Sequence, residues 1–102
     1  MKLDELTQLI IDTTRAIAEE QSLEIAEGLS PQTRLFGSKG LMDSLALVSL
    51  VIAVEQDIEE RFGVAIELAD DKALSQKNSP YRSIGTLADY AMGQYQAKQA
   101  AR

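Results

Sequence analysis

Between Asp43 and Gly63 the chain follows a single period, and that period decides what kind of fold is open to it. Advancing about 100° per residue, Leu47, Leu50, Val51, Val54 and Ile58 fall on one broad stripe, with Phe62 at its margin. Asp43 reads as the cap, its side-chain oxygen accepting from backbone N–H groups that a first turn leaves unpaired. Gly63 is a natural stop. A helix from Ser44 to Arg61 or Phe62 follows, with the stripe as its core face. Leu3, Leu6, Ile10 and Ile17, with Leu9 and Ile11 beside them, recur at helical spacing through about Glu20. Ser30-Pro31 is a cap followed by a proline in a first turn, so a short turn or bend starts there. The segment 28–40 is otherwise a loop, long enough to need an anchor or a functional reason, and Leu35 and Phe36 are expected to pin it into the core. After Gly63, Val64 and Ile66 pack back on the bundle. Asp70-Asp71 begins a short helix through about Ser75, and Asn78-Ser79-Pro80 is a turn signal. Ser83 then caps a last helix with Ile84, Leu87, Ala88, Ala91 and Met92 inward. No strand of any length and no internal repeat is indicated. The expected fold is all-α, a small four-helix bundle whose third helix is short. It forms one domain over residues 1–95, with a frayed tail at 96–102.

Composition narrows the function. A chain of 102 residues, 45% hydrophobic and 25% charged, makes one small globular domain with a modest core. A net charge of −6 argues against nucleic acid, whose phosphates need a basic face, and favours basic protein partners or plain solubility. There is no Cys and no His, which removes disulfides, most zinc sites, Cys nucleophiles and the usual imidazole acid–base group. Met1-Lys2-Leu3-Asp4-Glu5 lacks a basic region followed by an apolar core, so no signal peptide is expected. The most apolar run, Leu45 to Val54, is interrupted by Ser49 and is too short to span a bilayer. A cytoplasmic monomer is the expectation.

Ser44 sits at or near the first position of the long helix, where N–H groups point outward and the dipole favours negative charge. A phosphodiester on its hydroxyl would be held by the fold and would project from a rigid end. Asp-Ser is also an ordinary way to start a helix, so the dipeptide alone leaves both readings open. Leu45, Val48 and Ile52 lie nearly opposite the core stripe, where a surface helix should be polar. They form either a contact patch or a surface covered by the loop that runs to Met42. Other constellations are weaker. Glu19-Glu20 and Asp70-Asp71 read as surface charge, and Gly37-Ser38-Lys39-Gly40 lacks the spacing and preceding strand of a phosphate loop. Tyr81, Tyr90 and Tyr95 are expected to pack with hydroxyls outward.

Taken in order, Thr33-Arg34-Leu35-Phe36-Gly37, Gly40-Leu41-Met42-Asp43-Ser44-Leu45, Val48, Glu59-Glu60-Arg61-Phe62-Gly63-Val64 and Ser83-Ile84-Gly85-Thr86-Leu87-Ala88-Asp89-Tyr90 resemble the acyl carrier protein family. The resemblance spans roughly Leu3 to Tyr95. It implies that Ser44 carries 4′-phosphopantetheine, whose terminal thiol holds an acyl or aminoacyl group as a thioester. It further implies that a phosphopantetheinyl transferase, using Mg²⁺ of its own, moves the arm from coenzyme A, and that Asp43 helps orient that reaction. Partner enzymes are then expected to meet Asp43, Leu45, Val48 and Ile52, which favours the contact-patch reading.

Two departures stand out. Fatty-acid carriers of this family have acidic residues two and five positions after the serine; here these are Ala46 and Ser49. Acids begin only at Glu55, Asp57, Glu59 and Glu60, which read first as a solvated face. The family's phenylalanine lies one turn nearer the serine, where this chain has Ile58, so the helix is longer by about four residues, roughly 6 Å. Both departures point to a specialised stand-alone carrier in fatty acid, polyketide or lipid biosynthesis, distinct from the housekeeping fatty-acid protein. Its partners would be the transferase, an acyl or aminoacyl ligase, and synthase or transferase enzymes. An aminoacyl carrier of the D-alanyl or peptidyl kind is the alternative within the family. Outside it, the alternative is a helical interaction module with Ser44 unmodified. An enzyme is not expected, because a serine without His or an evident Lys base has no recognisable activator.

Overall fold

The computed structural model describes residues 2–23, 28–35, 42–68 and 80–100, with Ser44 described by its backbone alone. Within them the protein is all-helical, with α1 over Leu3–Glu20, α2 over Ser44–Phe62 and α3 over Ile84–Ala100. The short helix expected from Asp70 to Ser75 lies outside the described residues, as do Phe36 and the segment 37–41.

Each helix end has a local cause. At the start of α1, Glu5 reaches back to accept from the Lys2 backbone N–H at 3.2 Å, and Asp4 and Glu5 sit at the positive end of the dipole. Its C-terminus closes as a Schellman motif: Leu23 N–H donates to Ala18 C=O at 2.8 Å and Ser22 N–H to Glu19 C=O at 3.3 Å. That geometry puts Ser22 in the left-handed region, at φ 57°. α2 is capped by Asp43 and ended by Gly63 at φ 69°, whose N–H donates to Glu59 C=O. Ser83 caps α3, its Oγ accepting from the Thr86 N–H at 3.2 Å. α3 runs on through Ala100 with residues 96–100 exposed, so Tyr95 is its last side chain packed against the core.

The core is the expected stripe and more. Leu47, Leu50, Val51, Val54 and Ile58 of α2 are buried with Leu6, Leu9 and Ile10 of α1 and Ile84, Leu87, Ala88 and Ala91 of α3. α1 packs against both other helices. Leu3 stays exposed, one turn ahead of Leu6, the first core residue of α1. Leu35 is fully buried, as its role of loop anchor requires. After Gly63 the chain alternates, with Val64, Ile66 and Leu68 buried and Ala65 and Glu67 exposed, the period of an extended strap.

Leu68 is held at both backbone groups: its N–H donates to Glu55 Oε2 and its C=O accepts from the Tyr81 hydroxyl. This corrects two expectations. Tyr81 is buried with its hydroxyl turned inward, because an interior carbonyl needs a donor. Glu55 is half-buried and bonded rather than solvated. Asp57 is likewise half-buried, its Oδ2 lying 2.9 Å from the Thr13 hydroxyl, whereas Glu59 and Glu60 are exposed as expected.

Candidate functional site

The end of the molecule that carries Ser44 is held by a relay of backbone bonds starting at α3. Gly85 N–H donates to Pro31 C=O at 2.8 Å, Ile84 N–H to Thr33 C=O at 3.0 Å, and Leu35 N–H to Arg82 C=O at 2.9 Å. Arg34 and Ser83 form an antiparallel bridge between the same segments. A Cβ on Gly85 would stand 2.9 Å from the Pro31 carbonyl oxygen, so a glycine there permits the close approach. Leu35 C=O in turn accepts from Met42 N–H at 2.9 Å, and Met42 is buried. The residue before Asp43 is thus fixed from both sides.

From that point Asp43 takes up extended backbone and turns Oδ1 to the Ala46 N–H at 2.8 Å, and its C=O accepts from Leu47 N–H at 3.0 Å. Ser44 is the first residue of the 19-residue α2. An anion attached there would meet the positive end of a long helix dipole. The next residue, Leu45, is 73% exposed.

Val48 and Ile52, at 40% and 43% exposure, continue from Leu45 along the same face of α2. Leu45, Val48 and Ile52 thus form an exposed aliphatic row. Asp43 is exposed beside the row's start. Ala46, two residues after Ser44, is buried, and Ser49 is half-buried with its hydroxyl 3.3 Å from Leu45 C=O.

A separate shallow groove of about 320 Å³ runs between α1 and α2, lined by Leu9, Asp12, Thr13, Ala16, Ile17, Ala53, Asp57 and Arg61. The Thr13 hydroxyl lies 2.8 Å from Leu9 C=O as well as near Asp57, and its single proton serves one of them at a time. Thr14 beside it is fully buried, and among the described residues its hydroxyl has no hydrogen-bond partner. Among the described residues no group of three or more His, Cys, Asp or Glu side chains is placed to hold a metal ion. No helix among them is long and apolar enough to cross a membrane.

No protein-family model, curated protein or solved structure matches this chain.

Proposed function

We propose that this protein is an acyl carrier protein without catalysis of its own, modified by 4′-phosphopantetheine at Ser44. The observation that carries the reading is the placing of Ser44 as the first residue of a long helix, directly after a bonded Asp43 cap and directly before an exposed aliphatic row. The arm, when attached, supplies a thiol that holds an acyl group as a thioester. The chain's own part is to offer the Ser44 hydroxyl as the oxygen that joins the pantetheine phosphate. The dipole of α2 offsets the charge of the resulting phosphodiester. The relay through Leu35 and Met42 keeps the attachment point rigid while the arm moves, and arm length then sets the effective concentration of cargo at each partner.

In this reading the fold is the four-helix carrier bundle, with a short helix near Asp70 to Ser75, and the protein is cytoplasmic. Asp43 assists transfer of the arm, and Leu45, Val48 and Ile52 receive the transferase and the enzymes that load and unload the thiol. The cargo is an acyl group of a specialised pathway. An aminoacyl cargo is the second reading, admitted by the neutral Ala46 and Ser49, and it is separated from the first by whether an acyl or an amino-acid ligase loads the arm. The test is to incubate the protein with coenzyme A, Mg²⁺ and a broad-specificity phosphopantetheinyl transferase, digest it, and locate the arm by peptide mass. The arm is expected on the peptide containing Ser44, with Ser44→Ala unmodified at unchanged helical content. Modification of Ser44→Ala would refute the assignment.

A further inference from the structure

Among the described residues α1 packs against both other helices, whereas no Cα of α2 comes within 8 Å of a Cα of α3. One side of α2 faces that seam, and Phe62 marks it, its ring meeting Tyr95 of α3 edge-on at 6.4 Å between centroids. Glu55 stands two turns before Phe62 on the same side, about 10 Å back along the axis, and accepts there from Leu68 N–H. The strap 64–68 thus runs back along the seam, with Val64, Ile66 and Leu68 buried.

The strap is held unlike any of the helices. Among the described residues no backbone group of 64–68 bonds to another backbone group. Its polar ties there are the two at Leu68, to the Glu55 carboxylate and the Tyr81 hydroxyl. Tyr81 itself is fixed independently of the strap. Its ring is buried and edge-on to Tyr90 of α3 at 6.5 Å. Arg82 C=O next to it accepts from Leu35 N–H, and Pro80 C=O lies 2.8 Å from the Thr86 hydroxyl. One jaw of the clasp therefore belongs to α2 and the other to the start of α3.

We infer that 64–68 is a lid on the seam between α2 and α3, clasped at Leu68 and opening as one unit while the three helices stay folded. Opening exchanges the two ties at Leu68 for bonds to water, which costs far less than parting the helices. What then resists opening is the burial of Val64, Ile66 and Leu68, a small part of the apolar core that unfolding of the bundle would expose. The device is independent of the carrier reading and holds whether or not Ser44 bears an arm.

The test is amide exchange of the full chain at rising urea, read by NMR at Leu68 in the strap and at Leu50 and Val54 in α2. Leu68 N–H is expected to be at least roughly tenfold less protected than the α2 amides in water, and nearly insensitive to low urea, because lid opening exposes little surface. Tyr81→Phe, which keeps the ring and deletes one tie, is expected to lower the protection of Leu68 roughly tenfold. The chain has no cysteine, so Ile66→Cys puts a single thiol on the buried side of the strap. That thiol should react with a thiol reagent as often as Leu68 opens, well ahead of the thiol of Val54→Cys in α2. If Leu68 shares the protection and urea slope of the α2 amides, the strap opens only with the bundle and the inference is overturned. Protection of Leu68 unchanged by Tyr81→Phe also overturns it, as does a thiol in Ile66→Cys that reacts no faster than the one in Val54→Cys. Should Tyr81→Phe fail to fold, wild-type exchange and the two cysteine variants decide the matter by themselves.

Discussion

Replacing Asp43 separates what the residue does for the fold from what it does for Ser44. Asp43→Ala removes the acceptor that lies 2.8 Å from the Ala46 N–H and leaves the first turn of α2 to water. Losing an N-cap oxygen costs about 1 kcal/mol, within a range of roughly 0.5–2. The lost negative charge at the helix start adds about 0.3 kcal/mol, the low end of the dipole range, because Asp43 is exposed. For a chain of this size 1 kcal/mol lowers the melting temperature by roughly 4–8 °C, so Asp43→Ala should melt about 5–10 °C below wild type. Asp43→Asn keeps an oxygen in the same place and should lose only the few tenths due to charge, a shift of about 2 °C. Thermal unfolding followed by circular dichroism reads both. If Asp43→Ala melts with wild type, the cap does not hold α2 in solution. If Asp43→Asn falls as far as Asp43→Ala, the charge matters and the bond does not. The same pair of variants tests the role that the resemblance gives Asp43 in arm transfer. Asp43→Asn, still folded at the assay temperature, should transfer the arm more slowly than wild type, and an unchanged rate would confine Asp43 to capping.

Two further substitutions probe the frame behind the site. Thr14→Val removes a fully buried hydroxyl that has no partner among the described residues, and should stabilise the protein by about 1 kcal/mol because the shape is kept and the desolvation cost disappears; urea unfolding that shows a loss instead would mean the hydroxyl is bonded in solution. Gly85→Ala should destabilise by about 1–3 kcal/mol, because its Cβ would stand 2.9 Å from the Pro31 backbone oxygen and the backbone must shift; an unchanged midpoint would show that the relay from α3 to Met42 is loose.

How far the chain could be read in advance depended on how far each signal reaches along it. α2 was legible to within one residue because its cap, its stripe and its stop are all local: Asp43, then Leu47 to Ile58, then Gly63. The anchor at Leu35 and the cap at Ser83 were legible for the same reason. Thr13 and Thr14 were missed although they stand four residues after the buried Leu9 and Ile10, a helical step that marks the core face whatever the side chain's polarity. Glu55, Asp57 and Tyr81 were misread because their partners are distant in sequence. Leu68 lies 13 residues from both Glu55 and Tyr81, and Thr13 lies 44 residues from Asp57. A pattern along one helix contains no trace of those bonds. Gly85 gave no signal as a site of close approach, since only the folded loop brings Pro31 to it. The exposed row at Leu45, Val48 and Ile52 was visible as an anomaly of patterning, but whether it was open or covered is a property of tertiary structure.

The central claim is that Ser44 accepts a phosphopantetheine arm, and intact mass tests it most directly. The protein is weighed before and after incubation with coenzyme A, Mg²⁺ and a broad-specificity phosphopantetheinyl transferase, beside a known carrier treated in the same way. The account predicts a gain of one phosphopantetheine and no more. No gain by the folded protein, with the known carrier fully modified, would contradict it and leave α2 as the binding face of an unmodified interaction module.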